Sequence, residues 1–148
     1  YVSTQLTYDN TKTETVLINS NFKCGYFIDR ERLFDIIKSK YNINSSYDPC
    51  SYPGIQCEFY YDSTITIQTG KKPIANEFTK VSFMIFRTGS VLIVGKCTED
   101  ILHKIYLFVR TMLETEFNEI HIPNVDGALT SKPIVKKTSR KKTILIKK

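Results

Sequence analysis

Two apolar runs joined by Arg87-Thr88-Gly89 stand out along the chain, and the alternation within them predicts a β-hairpin with strands at 81–87 and 90–96. Ser82, Met84 and Phe86 fall on one side of the first strand, and Val81, Phe83 and Ile85 on the other. Both faces therefore carry large apolar groups, whereas a sheet needs only one such face for its own core. The second face must meet a partner, and the nature of that partner is the functional question.

The pattern elsewhere supplies the rest of the fold. Residues 13–24 alternate, with Val16, Ile18, Ser20 and Phe22 opposite Leu17, Asn19 and Asn21, which predicts a long strand. Asp29 is placed to cap a helix over 30–40 whose apolar stripe is Leu33, Phe34, Ile36 and Ile37. A loop follows at 47–54, where Pro53-Gly54 fits the middle of a type II turn. The next strand, 55–61, puts Ile55, Cys57, Phe59 and Tyr61 on one face and Gln56, Glu58 and Tyr60 on the other. A short strand is expected at 64–69, before a turn at Gly70-Lys71-Lys72-Pro73. Thr98 caps a last helix over 99–117, with Ile101, Ile105, Phe108 and Met112 recurring beside Leu102, Val109 and Leu113. Strand, helix, four strands, helix predicts an α+β fold: an antiparallel sheet of about five strands, two helices on one face, the other face open. The expected division is an irregular segment 1–12, a folded unit 13–120 and a tail 121–148.

Charge changes this picture at one end only. The chain of 148 residues has a net charge of +6, from 21 Lys and Arg against 15 Asp and Glu. Eight of the basic residues and none of the acidic ones lie in 132–148, leaving 13 against 15 in the body. The tail, with Lys136, Lys137, Arg140, Lys141 and Lys142, reads as a disordered basic arm. Such an arm suits a nucleic acid, a localisation signal or plain solvation.

The remaining chemistry is sparse. Cys24, Cys50, Cys57 and Cys97 form no CxxC pair, and His103 and His121 are the only histidines, so neither zinc nor another metal or cofactor is expected. No secretory signal is recognisable, which favours buried free thiols over disulfides and makes the sequon Asn44-Ser45-Ser46 a chance match. No apolar run approaches the roughly 18 residues of a membrane span, and no catalytic constellation emerges. The chain reads as an intracellular, non-enzymatic binding protein without membrane contact. Because it opens on Tyr1 rather than Met, it also reads as a fragment or a processed chain.

Tyr47-Asp48-Pro49, then Tyr52-Pro53-Gly54-Ile55, then the hairpin IFRTGSVLIVG resemble one repeat of the TATA-box-binding protein family, its second repeat in particular. Similar sequences occur in large nucleocytoplasmic DNA viruses, and the resemblance covers about 13–120. It implies a half-saddle, a curved five-stranded sheet whose concave face lies on a widened minor groove, with Tyr52 and Phe86 as wedges between base steps. It further implies that Val16, Ile18, Gln56, Ser82, Met84, Leu92 and Val94 line the groove surface, with Arg87 and Lys96 reaching phosphates. Three positions depart from the family pattern. Val16 and Val94 stand where the family has Asn and Thr, and Glu58 where it commonly has Arg.

The function implied is a viral transcription initiation factor that binds promoter DNA in the minor groove and bends it. Its expected partners are double-stranded DNA, other initiation factors or RNA polymerase, and an upstream repeat or second chain that completes the saddle. It would act in a cytoplasmic virus factory or the nucleus of the host, with packaging in the virion a further option. The three departures point to the alternative, a protein–protein interaction module of the viral transcription machinery that keeps the fold without specific TATA recognition.

Overall fold

A computed structural model describes residues 17–74 and 77–123. Along the chain run β1 (Ile18–Lys23), β2 (Phe27–Ile28), α1 (Arg30–Ser39), β3 (Asn44–Ser46), β4 (Gly54–Tyr61), β5 (Thr79–Phe86), β6 (Ser90–Gly95), α2 (Glu99–Thr115), α3 (Phe117–Ile120) and β7 (His121–Ile122). Five strands form one sheet in the order β1-β6-β5-β4-β3, every neighbouring pair antiparallel. β2 and β7 pair separately as a small ribbon. The α+β class and the antiparallel sheet of five strands agree with expectation, and β1, β4, β5 and β6 follow the alternation in the sequence.

Both main helices pack on the same side of the sheet. Ile55, Cys57 and Phe59 of β4, Val81, Phe83 and Ile85 of β5, and Val91 and Ile93 of β6 are buried in one cluster. That cluster also holds Leu33, Ile36 and Ile37 of α1 and Ile105, Val109, Met112 and Leu113 of α2. The predicted caps form: Asp29 accepts from the Arg32 N–H, and Thr98 from the Ile101 N–H, each satisfying an orphan donor of the first turn. The β5–β6 turn depends on Gly89, whose φ is +75° and whose N–H donates to the Phe86 carbonyl at 2.9 Å. A Cβ there would lie 2.3 Å from the Tyr26 carbonyl oxygen, so no other residue fits.

Four expectations are corrected. Residues 64–69 are not a strand: β5 pairs with β4 from Thr79 opposite Tyr61, leaving the intervening chain outside the ladder. There Gln68 instead folds inward, its Nε2 donating to the carbonyls of Asp62 and Ile65 at 2.7 and 2.8 Å. The fifth strand is β3, the Asn44-Ser45-Ser46 triplet. The last helix breaks at Glu116, whose buried carboxylate accepts from Lys40 Nζ and the Tyr41 hydroxyl, each at 2.7 Å. Finally, β7 lies past position 120, where the tail was expected to begin, and its His121 ring stacks on Phe117 at 4.7 Å.

Candidate nucleic-acid interface

Among the described residues the face away from the helices is open, and strand register determines what it presents. Residues directly opposite each other in an antiparallel pair share a face. Two rungs follow: Asn19, Val94, Ser82, Glu58 and Asn44, then Asn21, Leu92, Met84, Gln56 and Ser46. The middle of the face is thus apolar and the flanks are amides and hydroxyls. Ser82, Met84, Phe86, Leu92 and Val94 are half-buried, while Asn19, Asn21, Asn44, Ser46 and Gln56 are exposed. Part of this face is a shallow hollow of about 340 Å³ between β3, β4 and β5.

This register moves one expected residue off the face. Ile18 pairs with Gly95 and Phe22 with Val91, so the even-numbered residues of β1 point to the helices. The Phe22 ring meets Tyr106 of α2 edge-on at 4.9 Å. Asn19 and Asn21 take the open side in place of Ile18, and sequence reasoning missed them because it assigned the apolar side of β1 to the partner. The signal was present: an edge strand with one apolar and one polar side turns the apolar one to the core. Val16 and the tail residues Lys136, Lys137, Arg140, Lys141 and Lys142 lie outside the described residues.

Tyr52 and Phe86 come together at one end of the face. Their ring centroids are 5.9 Å apart, and the Tyr52 hydroxyl contacts Met84 Sδ at 3.5 Å. Gly54 lies beneath both rings: a Cβ on it would come within 3.0 Å of the Phe86 ring and 3.1 Å of the Tyr52 ring. The loop that delivers Tyr52 is tied by Asp48, whose carbonyl accepts from the Tyr52 N–H at 2.9 Å and whose Oδ1 accepts from the Cys50 N–H at 3.0 Å. The Ser51 hydroxyl also donates to this carboxylate and, with the Cys50 N–H behind it, holds the Asp48 carboxyl below its ordinary pKa. The Arg30 guanidinium donates to the Pro53 carbonyl and lies 5.4 Å from the Tyr47 ring, which anchors the loop to α1.

Glu58 does not project a bare charge from the face. Its carboxylate accepts from Lys80 Nζ at 2.7 Å, the Tyr60 hydroxyl at 2.8 Å and Asn44 Nδ2 at 2.6 Å. The Lys80 bond, with the Tyr60 and Asn44 bonds behind it, holds the Glu58 pKa down to about 2. The pair is locally neutral, so Glu58 repels a phosphate far less than a bare carboxylate would. Arg87 and Lys96 are exposed at opposite ends of the hairpin strands, Arg87 in the turn and Lys96 just past β6.

The rest of the chemistry is structural. Among the described residues no group of three or more His, Cys, Asp or Glu could hold a metal, and no helix is long and apolar enough to cross a membrane. The cysteines are free, but Cys57 alone is fully buried, Cys24 and Cys97 are half-buried and Cys50 is exposed. The expectation of buried thiols thus fails for Cys50, which sits in the surface loop before Tyr52.

An open antiparallel sheet backed by two helices on one side is an α+β architecture consistent with the half-saddle of TATA-box-binding proteins. Comparison with curated proteins finds similarity to a TATA-box-binding protein-like protein of Acanthamoeba polyphaga mimivirus, 28% identical over 120 residues. The aligned region is 81% of this chain and 32% of that protein, so the chain spans about a third of its relative's length. This similarity supports a TATA-box-binding-protein-like relationship. No family model and no solved structure matches the chain.

Proposed function

We propose that the open face binds double-stranded DNA in the minor groove and that the protein is a viral transcription initiation factor which bends promoter DNA. The observation that carries this reading is the apolar stripe of Met84, Phe86, Leu92 and Val94, uncovered among the described residues and flanked by Asn19 and Asn21 on one side and Gln56 on the other. A minor groove of A·T pairs offers only acceptors, adenine N3 and thymine O2, along its floor. Amide NH₂ groups can donate to those acceptors, and an apolar stripe disfavours the guanine amino group. Tyr52 and Phe86, touching each other, act as one composite wedge, for which unstacking a base step costs on the order of a few kcal/mol and ring stacking returns part. Arg87, Lys96 and the basic tail add phosphate contacts. The outer edge of β1 is the place for an upstream repeat or a second chain, and other initiation factors or RNA polymerase are the expected protein partners. The viral relative supports a TATA-box-binding-protein-like factor; action in the host virus factory or nucleus is part of the proposal.

The test is a titration of A·T-rich and G·C-rich duplexes with the full chain, combined with a fluorescence-transfer measurement of end-to-end distance. Preference for A·T and a bend that disappears in Tyr52→Ala and Phe86→Ala are expected. Binding without preference, or bending unchanged in both variants, refutes it. A second reading, protein docking on the same face, draws on Glu58 and Val94, which reduce the positive charge and the hydrogen-bonding groups of the surface. It predicts that Met84→Ala weakens a protein partner and leaves duplex affinity unchanged.

A further inference from the structure

A second hollow, of about 490 Å³, sits at the β3 edge of the sheet, outside the face just described. It is lined by Lys38 of α1, by Asn42, Asn44 and Ser45, and by Lys71 and Lys72 from the long β4–β5 connection. The connection is held there by Gly70, whose φ is +72° and whose Cα passes so close to Phe59 that a Cβ would lie 2.8 Å from its ring. The Gly70 carbonyl also accepts from the Tyr60 N–H at 3.2 Å, so Lys71 and Lys72 emerge from a fixed point beside β3.

The chemistry of this hollow is one-sided. Three lysines and no carboxylate line it. The ion pairs of the described residues use Arg32, Lys40, Lys80 and Arg110, and none of these three. Lys38 lies 5.4 Å from the Phe34 ring. The Ser45 hydroxyl beside the hollow is buried without a hydrogen-bond partner among the described residues. The negative end of α1, which would oppose an anion, is capped: Lys40 and Tyr41 N–H groups donate to the Ile36 carbonyl and the Ile43 N–H to that of Ile37. Asn44 and Ser45 also line the hollow on the open face, so the two depressions share β3 as a common wall.

We propose that the Lys38–Lys71–Lys72 hollow binds backbone phosphates of the duplex that lies on the open face, where that duplex crosses the β3 edge. The ligands are two or three phosphodiester oxyanions of the backbone, met by the three ammonium groups as point charges. The inference rests on the minor-groove reading, which supplies the duplex and its position, and it extends the footprint beyond the sheet. Its energy is salt-dependent and blind to sequence, because each neutralised phosphate releases counterions.

The experiment uses the full chain and its Lys38→Gln/Lys71→Gln/Lys72→Gln variant, all three residues being exposed. Duplex affinity is measured between about 50 and 200 mM salt, with circular dichroism as a folding control. Two or three lost phosphates should reduce the magnitude of the log–log salt slope by about 1.8 to 2.7. Over that fourfold range the affinity lost by the wild type then exceeds that lost by the variant by about 12- to 40-fold. A·T preference should be unchanged, and the Arg versions of the three residues should restore the slope. An unchanged slope overturns the proposal. So does wild-type binding of inorganic phosphate alone, lost in the variant, with the duplex slope unaltered, since the site then serves a free anion. If Asn21→Ala and Phe86→Ala leave A·T preference and bending intact while the lysine variant still flattens the slope, the groove reading fails and the phosphate site stands.

Discussion

Replacing Glu58 by Gln tests directly whether the open face meets a polyanion, because it removes a charge and keeps a shape. Glu58 sits mid-strand on the face and its side chain is 33% exposed. With a pKa near 2 it is ionised at neutral pH and cancels Lys80, 2.7 Å away. Gln retains an acceptor for Lys80 and Tyr60, so the local geometry should survive while Lys80 becomes an uncompensated positive charge. Two unit charges about 7 Å apart in a water-like medium interact by about 0.6 kcal/mol. Relief of repulsion from one phosphate at that range tightens duplex binding about threefold at low salt. If the released Lys80 neutralises one phosphate, the log–log salt slope also steepens by about 0.9, about 3.5-fold more affinity lost between 50 and 200 mM. Fluorescence anisotropy of a labelled duplex at four salt concentrations measures both quantities. Affinity and slope both equal to those of the wild type would show that no phosphate passes near Glu58 and would refute the open-face placement of DNA. The pH dependence gives an internal control. A carboxyl whose folded pKa is depressed stabilises the fold above its unfolded value and loses that contribution as pH falls through about 2. The difference in urea midpoint between wild type and Glu58→Gln should therefore be largest at neutral pH and vanish towards pH 2.

Three further outcomes follow from the packing. Gly89→Ala combines a positive φ with a Cβ 2.3 Å from the Tyr26 carbonyl, and should lower unfolding free energy by at least about 2 kcal/mol in urea titration. Glu116→Gln removes the buried carboxylate that joins Lys40 and Tyr41 and should cost about 1–3 kcal/mol at neutral pH. The Glu116 pKa is lowered chiefly by the Lys40 bond, so that cost should shrink as pH falls below the ordinary glutamate range; a pH-independent cost would assign it to packing alone. A thiol reagent at pH 8 should modify exposed Cys50 first and spare Cys57, whose thiol burial pushes up to about 12, until the chain unfolds; mass mapping of the labelled peptides reads the order.

The hairpin, both helices and the caps were legible because each carries a period repeated over several turns or residue pairs, and each is backed by the core it predicts. Val81, Phe83 and Ile85 face the helices and Ser82, Met84 and Phe86 do not, as the alternation required. The Tyr52 and Phe86 pair was legible only as two motif positions; that they touch over Gly54 depends on the β4–β5 register. Residues 64–69 alternate as a strand would, but alternation cannot supply a hydrogen-bonding neighbour, and the ladder had already closed between β4 and β5. β3 failed in the opposite sense, since three small polar residues carry no period and become a strand by pairing with Gln56, Cys57 and Glu58. The sequence by itself thus determined the α+β class, the central strands and the existence of an uncovered apolar face. Tertiary structure decided the sign of β1, which gives the face Asn19 and Asn21 instead of Ile18, and the neutralisation of Glu58 by Lys80. It also decided the convergence of Lys38, Lys71 and Lys72. Each of these is a relation between residues distant along the chain, and local periodicity records only what a residue's near neighbours do.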